Sequence, residues 1–454
     1  MTTQFEIDCA LMAGLSYQST RDKINWFPAP SGWQEFSHVP NSTYQTTQSF
    51  EASAFQNTTT GKIVISYAGT AQLTDWIANV ALGLGFNADQ LNQAALYYLQ
   101  VKASNPGATI SFTGHSLGGG LAALMGVMFD EQAVTFNQAP FANSASTGVR
   151  DDLVAYLHSK GYSDSQLTVL APELLSFNFN GDGDHTANVS GYFVQGEALQ
   201  SLPLSTLGTQ AGLAQNSTGL GLLGSIDLHS QALLSAFLQN DAFRQITFKL
   251  PELLKMVFDS ALYAYSTGTG NTQFVNLLEH LVRHEAGVQG SFVADAMLDR
   301  FTLDLQQIAQ DGGLTLTDND LTKTLVAFAM QKYYEEQATG TDYGNTLFSD
   351  TDVTGGIRFD RTDVAANLAD AKGYNLYFLS YLDNLSTRER EAVNQMLPTL
   401  TDWFVQAGSA PMNATASGNS AFMLGGSGGD DMTGGSLTGD AANDSNYDLE
   451  RHTA

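Results

Sequence analysis

The stretch "FTGHSLGGGLAAL", Phe112 to Leu124, decides how the whole chain is read. "ATISFTG" before it has the composition of a short buried strand. The run after it is rich in Ala, Leu and Met, as a buried helix would be. Between them stands Ser116, flanked by Gly114 and Gly118. A strand that turns sharply into a helix has no room for larger side chains at those two positions. Such a turn lifts the serine hydroxyl above the sheet edge and points the first N–H of the helix at the same spot. Ser116 is therefore the candidate nucleophile, and the N–H of Leu117 a candidate oxyanion donor. His115 adjoins the serine, but neighbours on such a turn point apart, so it reads as a packed or hydrogen-bonding residue rather than a base.

Outward from this turn, strands and helices alternate. "GKIVISYAGT" (Gly61 to Thr70) is β-rich. "DQLNQAALYYLQVKAS" (Asp89 to Ser104) has helical spacing and is stopped by Asn105-Pro106-Gly107. "AVTFNQAPFA" (Ala133 to Ala142) is another strand running into a loop. The βαβα order predicts an α/β fold, a mostly parallel sheet covered by helices. Ser205 to Ser225 is rich in Gly, Ser and Leu and reads as a mobile loop or as a lid over an apolar site. Beyond it the pattern is mostly helical and carries no catalytic signature. Three regions are expected: an α/β domain over 1–240, a helical accessory region over 241–410 and a Gly/Asp-rich tail over 411–454.

Composition narrows the function. With 46 acidic residues against 19 basic ones, the net charge is −27, a surface that repels phosphate backbones and argues against nucleic-acid binding. Cys9 is the one cysteine, so no disulfide can form within the chain. The first residues, "MTTQFEIDCALMAG", lack the basic start of a Sec signal peptide. In the tail, "GGSGGDDMT" (Gly425 to Thr433) fits one nonapeptide of the calcium-binding type G-G-x-G-x-D-x-U-x, with Asp430 as the candidate ligand. The following unit, "GGSLTGDAA", breaks the pattern at Leu437 and Gly439, and the alternative is a disordered acidic tail.

A serine nucleophile needs a base, an acid that orients it and a second oxyanion donor. A loop after an early strand should supply the donor, which points to Thr70 after Gly69; an ordinary strand-ending turn is the alternative. Of the eight histidines, His229 in "IDLHSQALLSAFL" stands just before an amphipathic helix, beyond the sheet strands. His38 comes too early, and His158 lies on a helix that reads as surface. His280 and His284 share a helix face but lack the adjacent Glu of a zinc protease. The acid should end a strand before His229. "VSGYFVQGE" offers Glu197 after a good strand, and "LLSFNFNGDGD" offers Asp182 or Asp184.

Four segments in order resemble the class 3 lipase family of α/β-hydrolases: "SYAGT", "LTDWIANV", "FTGHSLGGGLAAL" and "VTFNQAPFAN". The resemblance covers about residues 60 to 230. It implies a serine esterase acting on acylglycerols or phospholipids at a membrane or micelle interface. The triad would run Ser116, acid, His229, with no cofactor in the chemistry. The family's pattern after the acid favours Glu197, since "EALQSLP" reproduces its spacing, although Glu replaces the usual Asp. The tail is similar to that of RTX-type lipases and phospholipases, which implies secretion without a Sec signal, export by a type I apparatus and structural calcium. A peptidase or thioesterase on the same elbow, a non-catalytic toxin scaffold and a calcium-binding surface module are the alternatives.

Overall fold

Strand alternation gives the sheet two unlike faces. In β3 (Ile63–Tyr67), Ile63, Ile65 and Tyr67 enter the main apolar core, while Ser66 points the other way. In β4 (Ile110–His115), Ile110 and Phe112 do the same, and Ser111, Thr113 and His115 turn to the opposite face. All are buried. Helices cover both faces, as an α/β sheet requires.

This computed structural model describes residues 2–19, 26–40, 50–69, 88–179, 181, 183–217, 220, 224–250, 253–258, 278, 281–282 and 297–310, with short runs at 402–405, 413–415, 421–424, 431–433 and 447–448. The chain divides into two compact units. The first comprises Met1–Gln215, Leu220–Arg244 and Leu278–Val288. It holds a seven-stranded sheet in the order β1 to β7. Strands β1 (Trp33–Val39), β2 (Ala52–Asn57) and β3 pair antiparallel. From β3 through β4, β5 (Gln132–Phe136), β6 (Val189–Val194) and β7 (Thr209–Leu213) every pairing is parallel. The expected mostly parallel α/β sheet is present.

Two helices pack against the apolar face: α2 (Ala88–Ser104) and α3 (Leu117–Phe129), the helix that follows Ser116. Tyr98 of α2 meets Phe112 and Phe129 edge-on, at ring separations of 5.2 and 4.9 Å. The polar face receives α1 (Gln4–Leu15), which opens with a capping box between Thr3 and Glu6. Here buried hydroxyls bond the helix backbone. Ser66 donates to the Met12 carbonyl and Thr113 to that of Cys9, while Gln231 donates to that of Ala10. Gln231 opens α8 (Gln231–Gln239), which follows the short α7 (Gly224–Asp227). Three further helices, α4 (Thr147–Ser159), α5 (Asp164–Leu170) and α6 (Pro172–Ser176), lie between β5 and β6.

One expectation changes. Residues 209–213, inside the stretch read as a loop or lid, form the edge strand β7, paired residue by residue with β6 from Thr209 opposite Ser190 to Leu213 opposite Val194. "TQAGL" has little intrinsic strand preference, and its side chains are only partly covered. Pairing with β6, rather than propensity, makes it a strand.

In the second unit, the described residues include two helices, α9 (Leu253–Phe258) and α10 (Met297–Gln310). Its C-terminal part forms short parallel strands that alternate between two sheets. One contains β8 (Asp402–Val405), β10 (Ala421–Leu424) and β12 (Tyr447–Asp448). The other contains β9 (Asn413–Thr415) and β11 (Asp431–Thr433). Among the described residues, no helix is long and apolar enough to cross a membrane.

Candidate active site

Ser116 occupies φ 58° and ψ −126°, a conformation that costs a residue with a side chain about 1–3 kcal/mol. Hydrogen bonds hold it there from both sides. Its N–H donates to the Phe136 carbonyl at 3.0 Å, and its own carbonyl accepts from Gly120 and Ala139, each at 3.0 Å. Gly118 explains why the turn cannot carry bulk, because a Cβ there would run into the Tyr67 main-chain carbonyl. Gly69 lies directly beside the serine: a Cβ built on it would stand 3.2 Å from the Ser116 Cβ. Leu117 is the first residue of α3, as the elbow requires. Thr70, the "LTDWIANV" segment, Asp182, His280, His284, His452 and Asp430 lie outside the described residues.

His229 and Glu197 meet. The His229 Nδ1 and the Glu197 Oε2 are 2.6 Å apart, and both side chains are buried. Glu197 leaves the end of β6 through a turn at Gly196, whose φ is +85°. The same Oε2 accepts from the Leu199 N–H at 2.9 Å, which caps the 3-10 turn Ala198–Ser201 and leaves the carboxylate no freedom to swing. The bond to Glu197 places the proton on Nδ1 and leaves Nε2 as the basic atom. The His229 Nε2 and the Ser116 Oγ are both buried, and neither has a hydrogen-bond partner among the described residues.

Among the described histidines, His38, His158 and His185 have partners of their own elsewhere. His38 bonds Glu51 at 2.9 Å, and His158 bonds Asp164 at the surface. Asp184 accepts from the Thr186 N–H within its own turn. His185 pairs with Asp130 at 3.0 Å, and Asn188 bonds the same Asp130 oxygen, which ties the end of α3 to the entry of β6. A cavity of about 320 Å³ adjoins the acid loop, lined among others by Gln138, Phe193, Glu197 and Leu202. Ser116 and His229 do not line it.

Three contacts escape the sequence reading. The His115 Nε2 lies 2.8 Å from the His229 carbonyl oxygen. Asn137 also donates to that carbonyl, at 3.2 Å, while its Oδ1 accepts from the Val194 N–H. The Tyr17 hydroxyl lies 3.0 Å from the His115 Nδ1 and 3.2 Å from the His115 carbonyl. Asn137 has φ 42°, a left-handed conformation that asparagine tolerates and that its place at the end of "VTFN" could have signalled. Tyr17 carries no such local signal.

Comparison with known proteins yields related matches. A family model for the Tle-like phospholipase domain, described as phospholipase-like, matches residues 9–242. Over 100 residues the chain is 37% identical to an extracellular phospholipase A1 of Serratia liquefaciens, a stretch covering 22% of this chain and 30% of that protein. The chain therefore spans under a third of that relative's length. Among solved structures, the Lip2 lipase of Yarrowia lipolytica matches 50% of this chain and 91% of its own, with 14% identity and a TM-score of 0.31. The Rhizomucor miehei lipase in complex with its propeptide matches 48% of this chain and 71% of its own, with 13% identity and a TM-score of 0.29. By the match over residues 9–242, the chain belongs to the phospholipase-like family defined by the Tle-like phospholipase domain.

Proposed function

We propose that this protein is a serine carboxylic ester hydrolase acting on lipids, of the phospholipase A1 or triacylglycerol lipase type. The observation that carries the proposal is the buried 2.6 Å contact between Glu197 and His229, in a unit whose elbow holds Ser116 in a strained conformation. His229 takes the Ser116 proton through Nε2 while Glu197 holds the ring by Nδ1 and stabilises the imidazolium that forms. Ser116 attacks the ester carbonyl. The N–H groups of Leu117 and Thr70 bind the oxyanion, and collapse of the tetrahedral intermediate expels the alcohol, protonated by His229. Water activated by the same histidine then releases the fatty acid. None of these steps uses a metal or cofactor.

The α/β unit, over about residues 1–240, is the catalytic domain in this reading, and 241–410 is a helical accessory region. The tail is a calcium-binding module. Support comes from its strand pairing: Ala421 stands opposite Asp402, nineteen positions on, and Asp431 opposite Asn413, eighteen positions on. Two nonapeptides make about one such turn. Asp430 immediately precedes β11 in the sequence, and carboxylate with backbone carbonyl oxygens is the hard-oxygen set that suits Ca²⁺. Secretion by a route without a Sec signal, through a type I apparatus, follows from this reading.

A fluorophosphonate probe tests the hydrolase reading. Wild-type protein should be labelled at Ser116 and should hydrolyse phospholipid or triglyceride, and Ser116→Ala should do neither. A wild-type protein that stays unlabelled and inactive on a panel of triglyceride, phospholipid and soluble short esters would refute it.

A further inference from the structure

We propose that His115 is a positioning residue for the reaction: its imidazole clamps the main chain of His229 and so fixes the base relative to the nucleophile. The inference rests on the hydrolase reading above. A carbonyl oxygen only accepts, so the 2.8 Å contact between the His115 Nε2 and the His229 oxygen requires the proton on Nε2. In the neutral ring, Nδ1 is then an acceptor, and the Tyr17 hydroxyl stands 3.0 Å from it as donor. The accept-only His229 carbonyl fixes this tautomer, and the Tyr17 hydroxyl, which also lies 3.2 Å from the His115 carbonyl, is placed to meet the Nδ1 it leaves bare. His115 is the residue immediately before Ser116 in the chain. One imidazole thus spans from the nucleophile's own strand to the backbone of the base, with the two rings 4.7 Å apart.

The same carbonyl has a second anchor. Asn137, at the end of β5, donates to it and accepts from the N–H of Val194 on β6, the strand that delivers Glu197. The His229 backbone is hence tied toward both the nucleophile and the acid. His115 is buried, and its ring donates this bond through Nε2. Ordinary satisfaction of a buried polar ring would need no particular target. Here the target is the main chain of the base, where a small displacement misaligns proton transfer.

The test compares His115→Gln, whose Nε2–H can reach the same carbonyl, with His115→Leu, which fills similar space without a donor. Tyr17→Phe removes the hydroxyl that meets Nδ1 without touching the bond to His229. Turnover of a soluble p-nitrophenyl ester is measured on the full chain, with circular dichroism melts and the fluorophosphonate labelling rate alongside. His115→Leu should lose about ten- to a hundred-fold in kcat and in labelling rate, with KM within about twofold of wild type. His115→Gln should recover most of the loss, and Tyr17→Phe should fall between them. Equal activity of His115→Leu and wild type overturns the positioning role. So does equal impairment of the Gln and Leu variants with unchanged melts. Should His115→Leu not fold, His115→Asn, whose amide is too short to reach the His229 carbonyl, carries the test, and wild-type kcat in that variant overturns the role. A wild-type protein that neither turns over nor labels sinks the hydrolase reading itself and is thereby told apart.

Discussion

Glu197 is where residue-level chemistry is most exposed to test. A glutamate carries one more methylene than an aspartate, so its strand must end correspondingly further from the imidazole. The 3-10 turn capped by its own Oε2 provides that arrangement. Glu197→Gln should cut kcat by about three to four orders of magnitude, because an amide both removes the charge and lets the imidazole adopt the wrong tautomer. Asp184→Asn should leave kcat unchanged, since that carboxylate serves its own turn. Steady-state kinetics on a soluble ester decide between them, and the reverse outcome would remove Glu197 from the mechanism. The strand, glycine and carboxylate at Gly191 to Glu197 were legible in the sequence as one of two places for the acid, the other being Asp182 or Asp184, and the spacing of "EALQSLP" in the family resemblance favoured Glu197. The contacts of Tyr17 with His115 were not legible, because 98 positions separate the two and nothing local marks either as a partner.

At the scale of elements, α1 is the informative case. It lies against the polar face of the sheet, and its Asp8 is buried with both carboxylate oxygens engaged, by Gln4 and by the Trp33 indole N–H. Burial pushes the Asp8 carboxyl above its ordinary value, against the opposing pull of those two bonds. A raised carboxyl takes up its proton in the folded state before the unfolded chain does. Stability therefore rises as pH falls through the folded pKa and is penalised above it. Asp8→Asn keeps an oxygen for Trp33, and Gln4 can turn its amide to meet the new group. Thermal melts should show the variant gaining on wild type as pH climbs through that raised value, with the gain vanishing toward the ordinary carboxylate range. A difference that stays constant with pH would remove the ionisation cost from α1. The strands β3 to β6 were readable as elements because short runs of β-branched and aromatic residues mark them. The edge strand β7 was hidden, since its residues are strand-like only once β6 supplies the hydrogen bonds.

On the scale of the whole molecule, the proposed chemistry and the proposed calcium tail make separate predictions. None of the triad's steps draws on a cation, whereas the alternating parallel strands of 402–448 repeat at about two nonapeptides. Titrating Ca²⁺ into the full chain to about 1 mM should raise its far-ultraviolet strand signal, and Asp430→Ala should weaken that response. Soluble-ester turnover should be the same in calcium and in chelator. A turnover that requires calcium would join the two halves of the scheme, and a flat titration would leave the tail without a ligand. The hydroxyl-rich face against α1 carries a further consequence, for the making of the protein. Ala10 receives its side-chain bond from Gln231, 221 positions later, and the base His229 is nearly as distant from the helix that underlies its site. Contacts so far apart in sequence close late. During synthesis Ser116 leaves the ribosome more than a hundred residues before His229, so under the proposed triad the growing chain would lack its base until the α/β unit is almost complete.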